Sequence, residues 1–391
     1  MKRIAALLVA LLSLAPVAQA ETLSYAPGTP LTENTLENGL TVLLLPLPNS
    51  PVTSVSLWVR AGSRDEIPGI TGIAHLFEHM MFRPVAPGEP SYFDKAAKLG
   101  VDYNASTRFN ATEFHDTFTP NLLPQVLAME AHRFEHEQVS PAMLNVERKA
   151  VRSEYASKMG AQPMLDLWAD IYRYAYGKHP YGWHIMGDPA DLDRITADDC
   201  NRFFQKFYKP NNTLLAIAGP ITPNTAISLV RQSFGDWSRG PARARWTNEP
   251  PMGTKPVEGP GKLTSPSKYV LIGYRAPDYT APDHLAEDLA EDILFNGENA
   301  LVAQRLMDQL HLASVADAFN TGYDVGLRKV LVLPNPGVDR TRIEREVQTA
   351  IDGFSKLPDA DYHAYCEAYS TQLRESQLET LDVTSALGRA W

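Results

Sequence analysis

The segment from Gly72 to Met80 constrains the fold most strongly, because it contains the pattern His-x-x-Glu-His. Residues four apart in an α-helix lie one above the other on the same face. His75 and His79 can therefore present ring nitrogens to one metal ion, and Glu78 lies on a neighbouring part of that face. The spacing predicts a helix with two metal ligands and a carboxylate that can accept a proton from water.

The pattern needs a third ligand, because a catalytic zinc ion has three protein ligands and one open position. Pro141 precedes a second predicted helix, which carries Glu147 and Glu154. These two glutamates lie on nearly the same face but roughly 10 Å apart along the axis. One ion cannot bind both. The spacing predicts one ligand and one supporting residue without choosing between them.

These segments resemble the inverted-motif zinc metallopeptidases of the pitrilysin, insulin-degrading enzyme and mitochondrial processing peptidase family. Members of that family have a ligand glutamate about 75 residues after the motif, seven residues beyond another acidic residue. The resemblance implies that Glu154 is the third ligand and that Glu147 supports it. It is dense over residues 33–225, where segments 36–42, 104–107, 179–182 and 207–212 are also similar to the family.

A second copy of the pattern occurs at residues 132–136. No glutamate follows Glu154 before position 249, so this copy has no acidic residue at the family distance. We therefore predict that the first copy is the site. A metal site built from His132, His136 and Glu154 is the alternative that spacing leaves open.

The helix around the second copy, from Pro124 to about Gln138, has an apolar stripe that predicts a buried side. Its members are Val126, Leu127, Met129, Ala131 and Phe134. The second copy is interspersed with Glu130, Arg133 and Glu137, a pattern typical of a solvated helix face. We predict that these charged residues face solvent, whereas Met80, Met81 and Phe82 after the first copy pack in the core.

The first twenty residues predict export. Lys2 and Arg3 precede an apolar run from Ile4 to about Val17, and Ala18-Gln19-Ala20 is typical of a signal-peptide cleavage site. The run is too short for a comfortable membrane span. We predict a signal peptide at residues 1–20 and a periplasmic or secreted protein without a membrane span after its removal.

Charge and cysteine content argue against a nucleic-acid-binding protein and against a fold held together by disulfides. The net charge of −10 disfavours nucleic-acid binding. Two cysteines, Cys200 and Cys366, cannot form a disulfide framework. We predict that both are buried free thiols, and sequence does not decide whether they pair.

Strand-like and helical runs alternate along the chain, which predicts an α+β fold. The resemblance implies two related domains, each an antiparallel-rich sheet covered by helices on one face, as half of a metallopeptidase clamshell. The predicted strands of the first domain are residues 41–45, 52–59, 103–107, 113–119 and 212–218. The predicted boundaries are a zinc-binding peptidase domain at 21–238, a Pro/Gly-rich linker at 239–266 and a second, family-related domain at 267–391 that is shorter and incomplete.

The second half departs from the family. Members that complete their own site use an arginine and a tyrosine of this half to polarise the scissile carbonyl, but here His311 and Ser314 stand near those positions. The resemblance therefore implies a homologous partner subunit. A homodimer would repeat the deficiency, so we expect a heterodimer.

Together, these observations predict an exported zinc metalloendopeptidase that binds one Zn²⁺ per chain and hydrolyses unfolded peptides. His75, His79 and Glu154 would hold the metal, and Glu78 would act as general base for a zinc-activated water. The resemblance also implies that peptides add as a β-strand along an edge formed by Asn104, Ala105, Ser106 and Thr107. The alternative is a non-catalytic or partner-dependent zinc-binding subunit of a heteromeric peptidase.

Overall fold

The computed structural model describes residues 31–161, 164–242, 257–259, 268–275, 284–296, 300–318 and 326–368. The predicted signal peptide and most of the predicted linker lie outside these residues. Contacts divide the chain into two units. The first unit contains the described residues up to Ala161 and from Lys178 to 242, and the second contains residues 164–177 and those after 257.

A six-stranded sheet forms the centre of the first unit. Its strands are β1 (Thr32–Thr35), β2 (Thr41–Pro46), β3 (Thr53–Val59), β4 (Asp102–Thr107), β5 (Thr112–Phe118) and β6 (Thr213–Gly219). They lie in the order β1-β2-β6-β3-β5-β4, and every neighbouring pair is antiparallel except β2 and β6. The five predicted strands are confirmed to within one residue at each end.

The helices are numbered along the chain through both units. They are α1 (Ile73–Met80), α2 (Tyr92–Leu99), α3 (Leu123–His136), α4 (Pro141–Ala161), α5 (Met164–Tyr176), α6 (Pro189–Leu192), α7 (Ala197–Phe207), α8 (Pro223–Phe234), α9 (His284–Phe295), α10 (Leu301–Ala303) and α11 (Arg340–Phe354). All except α5, α9, α10 and α11 belong to the first unit.

The core of the first unit surrounds α1. Phe77 is fully buried and its ring lies 4.9 Å from the ring of Tyr208 and 5.6 Å from that of Phe204. Met80 and Met81 are also fully buried, which confirms that the residues after the first motif pack in the core. Because α1 is enclosed by apolar side chains, its polar residues are held in fixed positions.

The second unit contains a three-stranded antiparallel sheet. Its strands β7 (Val270–Arg275), β8 (Ala313–Ala318) and β9 (Leu327–Pro334) lie in the order β7-β9-β8. Val330 and Val332 of β9 pack in one core cluster with Ile343 and Val347 of α11.

Helix α5 packs against the other face of that sheet. A Cβ atom at Gly273 of β7 would lie 2.8 Å from Cδ1 of Ile171, so glycine permits this close approach. Lys329 of β9 donates from Nζ to the hydroxyl of Tyr172 at 3.1 Å. The structure thus groups α5 with the second unit, which differs from the predicted domain of residues 21–238.

Helix α3 corrects one prediction. Glu130, Arg133 and Glu137 are 0%, 2% and 4% exposed, so they do not face solvent. Nη2 of Arg133 donates to both carboxylate oxygens of Glu130, at 2.7 and 2.8 Å. The second copy of the motif does reach the surface, because the side chain of His136 is 59% exposed. Periodicity missed the charged core because a paired guanidinium can be buried on the same side as apolar residues.

Arg133 is enclosed by aromatic rings and a second carboxylate. Its guanidinium carbon lies 4.0 Å from the ring centroid of Tyr92, whose hydroxyl donates to Asp116 at 2.6 Å. Burial and the neighbouring Glu130 raise the pKa of Asp116, and Arg133 opposes that shift. Arg133 also donates to the carbonyl oxygen of Met81 at 3.3 Å. A buried cation therefore binds the chain at the end of α1.

Cys200 and Cys366 form no disulfide among the described residues, and Cys200 is buried as predicted, whereas Cys366 is only half-buried. None of the described helices has both the length and the apolar composition required to span a bilayer.

Candidate metal centre

The centre is built on α1, whose start depends on a glycine. Gly72 precedes the helix with a φ of 87°, and a Cβ atom there would lie 2.5 Å from the carbonyl oxygen of Met186. Another residue would have both backbone strain and a steric clash. The helix that follows is almost entirely buried, and His75 and Glu78 are only 7% and 8% exposed.

Three donor atoms converge beside α1. Nε2 of His75 and Nε2 of His79 lie 3.6 and 3.2 Å from Oε2 of Glu154 on α4. Ligand atoms of these three residues lie within 4.8 Å of one another, and no other such cluster occurs among the described residues. Tetrahedral zinc with bonds of about 2.0–2.2 Å holds its ligand atoms roughly 3.3 Å apart. The nitrogen and oxygen donors therefore fit zinc in both chemistry and spacing.

The second copy of the motif forms different contacts. Nε2 of His132 lies 2.9 Å from a carboxylate oxygen of Glu89, and Nε2 of His136 lies 3.5 Å from one of Glu135. Glu154 lies instead beside the histidines of the first copy. The structure thus brings together the predicted ligands and does not bring together the alternative set.

Glu147 and Glu154 take different positions around His79. Oε2 of Glu147 lies 3.6 Å from Nδ1 of His79, whereas Glu154 lies at Nε2. Glu147 is 2% exposed and forms an ion pair with Arg83. A carboxylate at the second ring nitrogen fixes the orientation and tautomer of a metal-binding histidine. Sequence spacing left this choice open, and it did not identify Arg83.

The side chains of the cluster shift one another's pKa values. Burial and the neighbouring His79 lower the pKa of His75 to about 3, which keeps its ring neutral and able to bind a metal. Burial opposes a charge on His79, but hydrogen bonds to Glu147 and Glu154 raise its pKa to about 9. The bond from His79 lowers the pKa of Glu154 to about 2. A metal that binds these atoms must displace a proton from His79.

Glu154 has a second basic neighbour that the sequence analysis did not identify. Nζ of Lys158 lies 2.5 Å from Oε1 of Glu154, so the two carboxylate oxygens have different partners. The residues are four apart on α4, a spacing that favours ion pairs and could have signalled this contact. Lys158 thus orients Glu154 with Oε2 toward the histidines.

Glu78 is held by a residue predicted to bind substrate. The hydroxyl of Thr107 donates to Oε2 of Glu78 at 2.6 Å. Burial raises the pKa of Glu78, and the bond from Thr107 opposes that shift. The motif gave no indication of this contact, because Thr107 is 29 residues away in sequence.

The predicted peptide-binding segment lies on the last strand in the described sheet. Asn104, Ala105, Ser106 and Thr107 belong to β4, which pairs with β5 on one side. This strand ends at Thr107, beside Glu78. The segment is therefore at a sheet edge that leads to the metal cluster.

His311 and Ser314, which the resemblance places near the expected arginine and tyrosine, lie in the second unit. His311 has a φ of 51°, is exposed, and its Nδ1 lies 2.8 Å from the carbonyl oxygen of Met307. Ser314 is exposed on β8. Neither side chain is the guanidinium or the phenol that the resemblance leads us to expect there.

We predict that the two glutamates of α4 contribute unequally to zinc binding. Glu154→Ala removes a ligand and should abolish tight binding, whereas Glu147→Ala should weaken it by about 10–100-fold, as expected for loss of a supporting hydrogen bond. Zinc titration against a competing chelator, on variants shown to be folded, measures both. The reverse order would mean that Glu147 is the ligand.

Family models match both halves of the chain. Residues 41–188 match the model described as insulinase (peptidase family M16), and residues 194–354 match the one described as peptidase M16 inactive domain. The zinc protease PqqE of Helicobacter pylori is 26% identical over 331 residues, which are 82% of this chain and 74% of that protein. A probable mitochondrial-processing peptidase subunit beta of Schizosaccharomyces pombe is 27% identical over 381 residues, 92% of this chain and 80% of the relative.

Solved structures show the same fold. A protease from Helicobacter pylori has a TM-score of 0.79 at 23% identity, with 92% of this chain and 89% of that chain covered. A peptidase M16 inactive domain from Pseudomonas fluorescens has a TM-score of 0.74 at 17% identity, with 92% and 86% covered. The predicted α+β class is thereby confirmed. The chain belongs to peptidase family M16, the family of pitrilysin, insulin-degrading enzyme and mitochondrial processing peptidase that its motif resembles.

Proposed function

We propose that this chain is an exported zinc metalloendopeptidase that hydrolyses unfolded peptides. The observation that carries the proposal is the convergence of Nε2 of His75, Nε2 of His79 and Oε2 of Glu154 beside the buried carboxylate of Glu78. The zinc proteases among its relatives support the same activity.

His75, His79 and Glu154 are the proposed ligands of one Zn²⁺, with Glu147 holding the ring of His79. When bound, zinc supplies Lewis-acid polarisation of the scissile carbonyl and lowers the pKa of a hydrolytic water. The neutral His75 and the ionised Glu154 are the protonation states that a metal requires.

Glu78 is the proposed general base. Its carboxylate takes a proton from the hydrolytic water and gives it to the departing amine. Burial raises the pKa of this carboxylate, which makes it a stronger base than an exposed glutamate. The hydroxyl of Thr107 holds one carboxylate oxygen, so the side chain does not need to be ordered during the reaction.

Substrates are proposed to bind as an added strand on β4. Main-chain hydrogen bonds along Asn104 to Thr107 would align a peptide with little demand on its sequence. Such binding requires an extended chain, so unfolded peptides are the expected substrates. Because β4 ends beside Glu78, a peptide on this edge leads to the metal cluster.

We further propose a periplasmic or secreted location and a homologous partner subunit. The sequence pattern of residues 1–20, in which two basic residues precede an apolar run and a small-x-small site, supports export. His311 and Ser314 support a partner, because they stand near the positions at which the family resemblance places an arginine and a tyrosine. One relative is itself named as a subunit, the beta subunit of a mitochondrial-processing peptidase. A partner-dependent zinc-binding subunit is therefore the second candidate function.

Zinc content and cleavage of a quenched, unstructured peptide test these proposals together. We expect one zinc per chain, slow cleavage by the isolated protein, and loss of cleavage after treatment with a chelator. Addition of a homologous partner that carries the arginine and tyrosine should increase the rate at a ratio near one to one. Full-rate cleavage by a monomer, verified by sizing during the assay, would exclude the partner. If the protein contains no zinc and cleaves no peptide, either alone or with the partner, peptidase function is excluded.

A further inference from the structure

Glu66 binds the start of the metal-binding helix from six residues upstream. Its side chain is buried, with 5% exposure, and it accepts hydrogen bonds from the backbone N–H of Gly72 at 2.9 Å and of Ala74 at 3.0 Å. The first N–H groups of an α-helix have no partner within the helix. Gly72 has no side chain to cap them, so Glu66 performs this function.

A third donor links Glu66 to a separate loop, residues 179–188. Nε1 of Trp183 donates to Oε2 of Glu66 at 3.1 Å. The loop is pressed against the start of α1, because a Cβ atom at Gly187 would lie 2.3 Å from the carbonyl oxygen of Thr71. Both oxygens of Glu66 are thus occupied by N–H donors from two segments that pack against each other.

The surroundings of Glu66 favour a carboxylate at this position. Burial raises the pKa of its carboxyl, and the bonds from Gly72, Ala74 and Trp183 oppose that shift by favouring the ionised form. The N-terminus of a helix also has a partial positive charge that favours a carboxylate. A glutamate buried at this position contributes an interaction that an apolar side chain of the same size cannot replace.

We propose that Glu66 is a positioning residue for the metal centre. Ala74, whose N–H it binds, directly precedes His75, so any movement of the first turn moves that ligand. Metal sites tolerate deviations of only about 0.2 Å in their bond lengths. Glu66 therefore fixes His75 relative to Glu154, which is held independently on α4. This inference rests on the proposed zinc site.

Glu66→Gln tests the proposal, with Glu137→Gln as its matched control. The amide preserves the shape but places an NH₂ group against an N–H donor. Glu137 is similarly buried, at 4% exposure, and burial also raises its pKa to about 8, but it follows the end of α3. Zinc affinity of the folded proteins, measured against a chelator, should fall by about 10–100-fold in Glu66→Gln. In Glu137→Gln it should stay within about twofold, since that carboxyl has no part in holding α1.

A lower melting temperature with unchanged zinc affinity would show a purely structural role and overturn the inference. If Glu66→Gln does not fold, Trp183→Phe decides the question, because it removes one donor and retains the two backbone bonds. We expect it to weaken zinc binding by a few-fold, and unchanged affinity would again overturn the inference. If the wild-type protein binds zinc and either variant shows unchanged zinc affinity, this inference fails but the proposed function still stands. Wild-type protein that binds no zinc overturns both.

Discussion

Glu78→Gln is expected to retain one zinc per chain and to cleave peptides roughly 10²–10⁴-fold more slowly, the range expected for loss of a general base. The proposed ligands are unchanged, and the glutamine amide can still accept the hydrogen bond from Thr107. Only the ability to take a proton is removed. Zinc content and steady-state cleavage of a quenched peptide, with the partner present, measure the two effects separately.

The second copy of the motif provides a control within the same chain. Glu135 occupies the same place in that copy as Glu78 in the first, but it contacts His136 at the surface. Glu135→Gln should therefore retain wild-type cleavage and zinc content. A large loss in Glu135→Gln, with wild-type activity in Glu78→Gln, would transfer the active site to the second copy.

Arg133→Met is expected to lower the free energy of unfolding by about 3–5 kcal/mol, as is typical when one partner of a buried ion pair is removed. The change leaves Glu130 without its counter-charge in a fully buried position and removes the cation near Asp116. Urea unfolding followed by fluorescence measures the effect. Because Arg133 also binds the carbonyl of Met81, some of the loss should extend to α1.

An exposed arginine is the matched control for this prediction. Arg152 forms an ion pair with Asp193 at 2.6 Å, with the two side chains 49% and 53% exposed. Solvent screens such pairs, so Arg152→Met should change stability by no more than about 1 kcal/mol. Equal losses in the two variants would show that burial of Arg133 contributes nothing.

Sequence periodicity predicted the elements of the fold better than their charged contacts. Five of the six strands of the first unit were placed to within a residue because their apolar runs are short and bounded, whereas the short polar strand β1 was not predicted. The prediction that Glu130 of α3 faces solvent was wrong, because a charged residue is expected at the surface unless its buried ion-pair partner is known. The membership of α5 could not be predicted either, because it depends on packing across Gly273 rather than on the helix itself.

In the candidate site, too, local sequence patterns were predicted better than contacts between distant residues. His75, Glu78 and His79 lie on one helical turn, so local spacing was sufficient to identify them. Spacing alone did not separate Glu147 from Glu154, and the resemblance assigned their roles; in the structure the two carboxylates face different nitrogens of His79. Contacts made across long sequence separations, such as that of Thr107 with Glu78, leave no periodic signal.

Among the described strands β4 pairs only with β5, and a strand edge of this kind bears on aggregation as well as on binding. A strand with unpaired backbone groups can pair with the same strand of another molecule and begin aggregation. In β4 the risk is limited by length and polarity, because the strand has six residues and exposes Asp102 and Asn104. If peptides add to this edge as proposed, the edge must also reject copies of itself, and the exposed polar side chains of β4 act against such self-pairing.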